Sequence, residues 1–400
     1  MSAAPLAERL ADLAVGLGAN VQPGQIVAVS ADIGLEEVVR EVVAAAYQRG
    51  AKFVDVSYYD PHVKRARIQH AAYDTLDFVP RWYGDRAFAL GESHAARVVI
   101  AGPSHPHALD GLDPDRLGRD PLPAVAEWMD VLADRTVNWT IVPYPTLAWA
   151  KQVHPELDDE AAFDTLCREI VHVCRLDEPD PDAAWRERVD ELTDVGHRLD
   201  ALALDALHYE GPGTDLTVGL LPSSSWIGAV SWTVDGLEHL PNVPTEEVFT
   251  TPDPARAEGR VRSTKPLVLV DGSIVRGLEV RFESGRAVEI DAEEGAELIR
   301  KRVARDVGAS RLGEVALVDR ESRIGQLGTV FYTTLLDENA TSHVAFGSAY
   351  EEAVSEEDVS RANKSAIHID FMVGGDDVEV TGITRDGKRI PVLRGGAWQI

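Results

Sequence analysis

The chain has 400 residues, more than a single hydrophobic core usually supports, so we expect two domains. Its 67 acidic residues against 39 basic residues give a formal net charge of -28, which disfavours electrostatic binding to nucleic acid or to an anionic membrane. The sequence has no apolar run long enough for a membrane helix and no basic-then-apolar leader, so we expect a cytoplasmic protein.

The first half of the chain alternates predicted strands with predicted helices. The strands are predicted over 26–30, 53–58, 97–101 and 138–142, and helices over 35–49 and 128–134. Strands separated by helical crossovers form a parallel sheet that is covered on both faces. We therefore expect residues 1–205 to form an α/β N-terminal domain with a mainly parallel sheet.

The second half has a different composition, in which short strands and glycine turns dominate. A predicted helix over 183–205 leads into this change. Strands are predicted over 216–220, 268–270, 278–282, 287–290, 315–318, 367–373 and 378–383, and helices near 296–305 and 328–336. We expect residues 206–400 to form a strand-rich α+β C-terminal domain that carries the site.

Two adjacent acids, Glu246 and Glu247, lie in a segment bounded by prolines, and are therefore constrained. On extended backbone, neighbouring side chains point to opposite faces, so one acid can bind a metal while the other handles protons or faces solvent. Thr245 before them also fits the start of a helix. Further on, Glu314 stands near the beginning of an apolar stretch, a position typical of a solvated strand end.

Glu338 and His343 flank several small residues, and an apolar stretch ending at Gly347 follows them. Small residues let the backbone approach an ion closely, and the glycine permits a turn. The alternative is a helix end capped by Asp337 or Asn339, with the histidine on the surface.

His368 and Asp370 alternate with apolar residues in a short predicted strand. A period of two places both polar side chains on one face, close enough to bind one ion or two adjacent ions. A surface pair or a hydrogen-bonded pair is the alternative. Buried polar groups need partners, and metal coordination is one way to supply them.

Taken together, these segments offer more candidate metal ligands than a single ion needs. Four carboxylates and two imidazoles fit a pair of divalent ions that share a carboxylate. The candidate ligands are Glu247, Glu314, Glu338, His343, His368 and Asp370.

The order and spacing of these motifs resemble the M29 family of metallo-aminopeptidases, the aminopeptidase T and aminopeptidase S type, over nearly the whole chain. The resemblance implies a two-metal centre built from those six ligands. It further implies that the phenol of Tyr350 stabilises an oxyanion. Glu246 is our candidate for the general base, although its role and that of Glu247 can be exchanged.

The activity that the resemblance implies is release of N-terminal amino acids from short peptides with a free N-terminus, by a water activated between two metal ions. Zinc, cobalt, manganese and magnesium all suit such mixed oxygen and nitrogen ligands. The resemblance also implies a homodimer.

Two alternatives remain open at the level of sequence. His343, His368 and Asp370 match the two-histidine, one-carboxylate set of a mononuclear iron ring-cleaving dioxygenase. A non-catalytic homologue with the same scaffold is the other alternative. The presence of Glu247, Glu314 and Glu338 favours a two-ion centre over both of these alternatives.

Overall fold

The computed structural model describes residues 3–123, 125–269 and 272–400. Contacts divide the chain into two compact units: Met1–Glu187 with Val230–Thr245, and Arg188–Ala229 with Glu246–Ile400. Backbone hydrogen bonds explain why the second segment belongs to the first unit, since Ile141 donates to Pro241 O and Val243 donates to Ile141 O. The predicted domain boundary between 205 and 206 falls inside the second unit and stays a prediction.

The helices are α1 Ala3–Leu13, α2 Glu36–Gln48, α3 Pro61–His70, α4 Trp82–Glu92, α5 Pro114–Arg119, α6 Ala126–Ala133, α7 Leu147–Val153, α8 Asp159–Val173, α9 Pro181–Ala201, α10 Ala296–Val303, α11 Arg323–Leu327 and α12 Thr334–Asp337. The strands up to residue 250 are β1 Ile26–Asp32, β2 Phe53–Tyr59, β3 Ala96–Ala101, β4 Asn138–Pro143, β5 Leu204–Gly211, β6 Thr214–Leu220, β7 Ser231–Trp232, β8 Glu238–His239 and β9 Glu247–Thr250. The later strands are β10 Pro252–Arg262, β11 Leu267–Val268, β12 Ile274–Val275, β13 Glu279–Glu283, β14 Arg286–Asp291, β15 Leu312–Val318, β16 His343–Gly347, β17 His368–Met372, β18 Glu379–Thr384, β19 Arg389–Arg394 and β20 Ala397–Trp398.

The first unit contains a four-stranded sheet in the order β2-β1-β3-β4, and every pair in it is parallel. Its central strand buries Val27 and Val29, and α2 buries Val38 and Val42. Burial of these side chains is the main force that holds strand and helix in an α/β arrangement. The predicted α/β N-terminal region with a parallel sheet is confirmed.

The second unit is rich in strands, as predicted. An eight-stranded sheet has the order β14-β13-β10-β6-β5-β18-β19-β20, and a four-stranded sheet has the order β17-β16-β15-β9. The pairs of the four-stranded sheet are all antiparallel. Antiparallel strands can bury one face and use the other for polar side chains.

One face of the four-stranded sheet packs into the apolar core of the second unit. Its side chains are Val248, Val315, Leu317, Val344, Phe346, Ile369 and Phe371. The rings of Phe346 and Phe371 stack with centroids 5.0 Å apart. Because strand side chains alternate, burial of this face fixes which residues lie on the other face.

Two sequence predictions need comment. The predicted helix over 328–336 is correct only at its end: α11 ends at Leu327, the following Gly328 has a left-handed φ of 67°, and α12 begins only at Thr334. The predicted strand over 268–270 ends on Val270, which lies outside the described residues. Within the ranges that are described, no helix combines the length and apolar character needed to cross a membrane.

A glycine at the end of β16 supports the turn that follows. Gly347 has a φ of +96°, and a Cβ atom there would lie 2.0 Å from the carbonyl oxygen of Ile367. We expect Gly347→Ala to lower the free energy of unfolding in urea by at least about 2 kcal/mol, from backbone strain and this clash.

The matched control is Gly118→Ala in α5, where an added Cβ meets nothing within 4 Å. Alanine is the better helix former, so this variant is expected to gain up to about 1 kcal/mol. Equal stability of the two variants would contradict the constraint assigned to Gly347.

Candidate metal centre

The register of the four-stranded sheet places two candidate ligands in one row across three strands. Glu314 on β15 is paired with Ala345 on β16, and Ala345 is paired with Asp370 on β17. The alanine between the two acids leaves open space above the sheet. Both carboxylates therefore face the same volume.

Strand alternation brings three more ligands to this face. His343 lies two residues before Ala345, and His368 lies two residues before Asp370, so both imidazoles share the face of Glu314. Glu247 joins them through β9, where it is paired with Val318. We call this surface the ligand face.

The ligand atoms form two groups that share one carboxylate. The first group is Glu247, Glu314 and His343, and the second is Glu314, His368 and Asp370. Within each group one ligand atom per residue lies within 4.8 Å of the others. Nε2 of His343 lies 3.0 Å from Oε2 of Glu247, and Nε2 of His368 lies 3.0 Å from Oε2 of Glu314. Glu314 thus stands where two ions could share it.

Backbone carbonyls fix the orientation of both imidazoles. Nδ1 of His343 donates to the carbonyl of Glu338 at 3.0 Å, and Nδ1 of His368 donates to the carbonyl of Ser348 at 2.8 Å. A carbonyl only accepts, so each Nδ1 carries the proton. Each Nε2 is then directed at the carboxylates, the arrangement that metal-binding histidines require.

The donor set fits divalent cations, because several of its buried atoms face one another at ion-pair distance but make no well-aligned hydrogen bond. These atoms are Oε2 of Glu247, Nε2 of His368 and Oδ1 of Asp370. A buried polar atom without a hydrogen bond costs about 1–3 kcal/mol. One cation at each ligand group would satisfy these atoms, and mixed carboxylate and imidazole donors suit zinc, cobalt or manganese.

The pKa shifts at the ligand face reflect the high local density of negative charge. Burial raises the pKa of Glu314, although the ion pair with His368 opposes it. Burial disfavours the charged form of His343, but the surrounding carboxylates, Glu247 first, outweigh burial and raise its pKa. The same balance, with Asp370 first among the carboxylates, raises the pKa of His368. Positive charge therefore stabilises these carboxylates, and either protons or metal ions can supply it.

Glu338 approaches the ligand face from a single 3₁₀ turn, Glu338–Ala340, rather than from a strand. Its pKa is raised well above the ordinary value, by burial first and then by the charges of Asp370 and Glu247. The carboxylate of Asp337 holds the preceding loop by accepting from the backbone of Phe331 at 2.8 Å. Five of the six predicted ligands therefore lie in the two ligand groups, and Glu338 interacts with them electrostatically from outside these groups.

Glu246 points away from this cluster. Its carboxylate is fully buried and accepts from Nε of Arg188 at 2.8 Å. Its backbone N–H donates to Oδ1 of Asn339 at 2.7 Å. The two adjacent acids that sequence could not distinguish are thus separated: Glu247 faces His343, and Glu246 faces Arg188.

Tyr350 lies at the open side of the cluster, with 37% of its surface exposed. Its ring contacts the imidazole of His368 edge-on, with centroids 5.1 Å apart. Desolvation and the charges of Glu314 and Asp370 raise the pKa of its phenol well above the ordinary value. The phenol therefore stays protonated and able to donate a hydrogen bond.

Sequence reasoning missed two residues that support the ligands. Asn339 was considered only as a helix cap, yet its side chain holds the backbone of Glu246. Arg188 lies in α9, and no local pattern marked it as a partner of an acid 58 positions away. A single buried arginine in a helix gives no signal of its partner until the fold is known.

Comparisons with known proteins agree with this geometry. Aminopeptidase T of Thermus thermophilus is 41% identical over 403 residues, which cover 98% of each chain. Aminopeptidase PepS of Streptococcus thermophilus is 39% identical and also covers 98% of each chain. The solved structure of wild-type AmpT from Thermus thermophilus superposes with a TM-score of 0.88, at 39% identity, over 98% of this chain and 99% of that one.

The family model described as thermophilic metalloprotease (M29) matches residues 4–398, nearly the whole chain. The ligand face lies entirely within this match. The predicted resemblance is therefore confirmed: this chain belongs to the M29 family of metalloproteases.

Proposed function

We propose that this protein is an aminopeptidase that releases N-terminal amino acids from short peptides at a centre of two divalent cations. Its membership of a metalloprotease family, with relatives named aminopeptidases, makes metal-dependent peptide hydrolysis the activity. The observation that carries the two-cation proposal is that Glu314 belongs to both ligand groups. A carboxylate shared in this way is the usual bridge of a two-metal hydrolase.

In this proposal each ligand group holds one cation. Glu247 and His343 would hold the first, His368 and Asp370 would hold the second, and Glu314 would serve both. Glu338 would complete the set, since its buried carboxylate interacts electrostatically with acids from both groups. When bound, such cations supply Lewis-acid polarisation of a peptide carbonyl and activation of water near neutral pH.

The side chains of the protein have separate tasks in this reaction. The protonated phenol of Tyr350 can donate a hydrogen bond to the oxygen on which negative charge develops. The excess of carboxylates attracts the positively charged amino terminus of a peptide, which favours removal of the first residue. The imidazoles, held at Nδ1, keep their ligand atoms in place.

Glu246 is proposed as the general base. The surroundings of its carboxylate limit how it could take part in proton transfer. Its carboxylate lies 2.8 Å from Nε of Arg188. It is fully buried, so this role requires that a proton can reach it away from the ligand face. The role therefore stays a prediction that kinetics must test.

The iron-dioxygenase alternative is not favoured by the geometry. It needs His343, His368 and Asp370 around one ion, but in the described residues the two histidines belong to different ligand groups. The non-catalytic alternative has no observation in its favour. The homodimer and the cytoplasmic location stay predictions.

Metal counting tests the two-cation centre directly. We expect elemental analysis of the gently purified protein to give about two divalent ions per chain. Chelation should abolish release of p-nitroaniline from amino-acid p-nitroanilides, and one of zinc, cobalt, manganese or magnesium should restore it. Glu247→Gln and Asp370→Asn should each reduce the count to about one.

One iron per chain with ring-cleaving activity would support the dioxygenase instead, and a metal-free protein without activity would support a non-catalytic homologue. Glu357→Gln, at an exposed acidic position, should retain both ions and serves as the control for removal of one negative charge.

The shared carboxylate is tested by Glu314→Gln, which replaces it with a neutral amide of similar shape. We expect kcat/KM for unblocked peptides to fall by more than about 1,000-fold, because both cations lose a ligand. The variant should remain folded by circular dichroism. Near-normal turnover in this variant would contradict the assignment of Glu314 as the shared ligand.

The general base is tested by Glu246→Gln. If Glu246 accepts the proton, kcat should fall by about 100-fold or more while the metal count stays at two. In Arg188→Lys, which keeps the positive charge beside Glu246, kcat should fall far less. A small loss of kcat in Glu246→Gln would assign the proton to another group.

A further inference from the structure

One large apolar side chain stands on the ligand face without belonging to the apolar core. Phe249 lies two residues after Glu247 on β9, so both side chains point to the same face. Its neighbour Val248 is part of the core of the second unit, whereas Phe249 is half-buried and lies outside that core cluster. A half-buried phenylalanine beside a polar site offers apolar surface to a ligand.

The register shows what lies in front of this ring. Phe249 is paired with Ala316, and Ala316 is paired on its other side with His343. Two strand spacings therefore separate the phenylalanine from the histidine, about 10 Å in all. Alanine fills little of the space between them.

Ring contacts connect Phe249 to the candidate ligands. Its ring contacts that of Tyr350 with centroids 5.2 Å apart, and Tyr350 contacts His368 at 5.1 Å. Tyr350 stands in the middle of this row and is its most exposed member. A ring that solvent reaches therefore connects Phe249 to the candidate ligands.

We propose that Phe249 forms the wall of the subsite for the side chain of the substrate's first residue, and that it favours large apolar or aromatic residues there. This inference rests on the proposed aminopeptidase function.

The chemistry of an N-terminal residue supports this position. Its α-carbon carries the amine, the scissile carbonyl and the side chain, so a subsite for that side chain must adjoin the groups that polarise the carbonyl. Phe249 meets this requirement, being two residues along the strand from Glu247, about 7 Å. Acidic first residues would be disfavoured, because the ligand face already concentrates carboxylates.

The test compares two substrates, phenylalanine p-nitroanilide and alanine p-nitroanilide, with the metal-loaded full chain. In Phe249→Ala we expect the ratio of kcat/KM for the phenylalanyl over the alanyl substrate to fall about tenfold, mainly through a higher KM for the phenylalanyl substrate. Phe249→Leu, which keeps an apolar side chain, should change the ratio by less than about threefold. Inhibition by free L-phenylalanine should weaken in parallel.

The matched control is Phe88→Ala, which removes an exposed ring from α4 and should leave the ratio unchanged. Metal content and thermal unfolding of each variant show whether it is folded and loaded. An unchanged ratio in a folded, loaded Phe249→Ala, or equal losses on both substrates, would overturn the inference alone. Failure of the loaded wild-type protein to hydrolyse either substrate would overturn the proposed function and this inference with it.

Discussion

The main physical constraint on this structure is that several negative charges are buried close together. Glu247, Glu314, Glu338 and Asp370 crowd one side of a sheet, and among the residues that the structure describes two imidazoles stand with them. Like charges in a low-dielectric setting repel strongly, and burial adds a desolvation cost to each. Such a cluster is tolerable only if positive charge enters it, and the orphaned ligand atoms show where that charge is needed.

The sheet supplies the rigidity that this concentration of charge requires. The face opposite the ligands is packed with aliphatic and aromatic side chains, so a shift of register by one residue would bury the ligands in the core. Antiparallel pairing on both sides of β16 fixes its position between Glu314 and Asp370. The ion pair of Arg188 with Glu246 then anchors the backbone next to Glu247. Folding and site geometry are therefore held by the same contacts.

Much of this arrangement could be predicted from sequence, for identifiable reasons. Alternation placed His368 and Asp370 on one face, because the period of a strand is a local property. The α/β half was recognisable from strands separated by helices. The loop before Glu338 was mistaken for a helix, because its conformation depends on Asp337 binding backbone N–H groups. The contact of Arg188 with Glu246 and the position of Phe249 in front of Ala316 arise from pairings distant in sequence. No local pattern encodes them.

The sharing of Glu314 has a consequence for how the two halves of the site behave. Glu247 and Asp370 lie in different ligand groups, yet each is connected to the other through one carboxylate whose rotamer both groups use. Residues coupled through a common partner do not contribute independently to the energetics of a protein. A change in one ligand group therefore reaches the other through the carboxylate of Glu314, and the two halves of the site are energetically coupled.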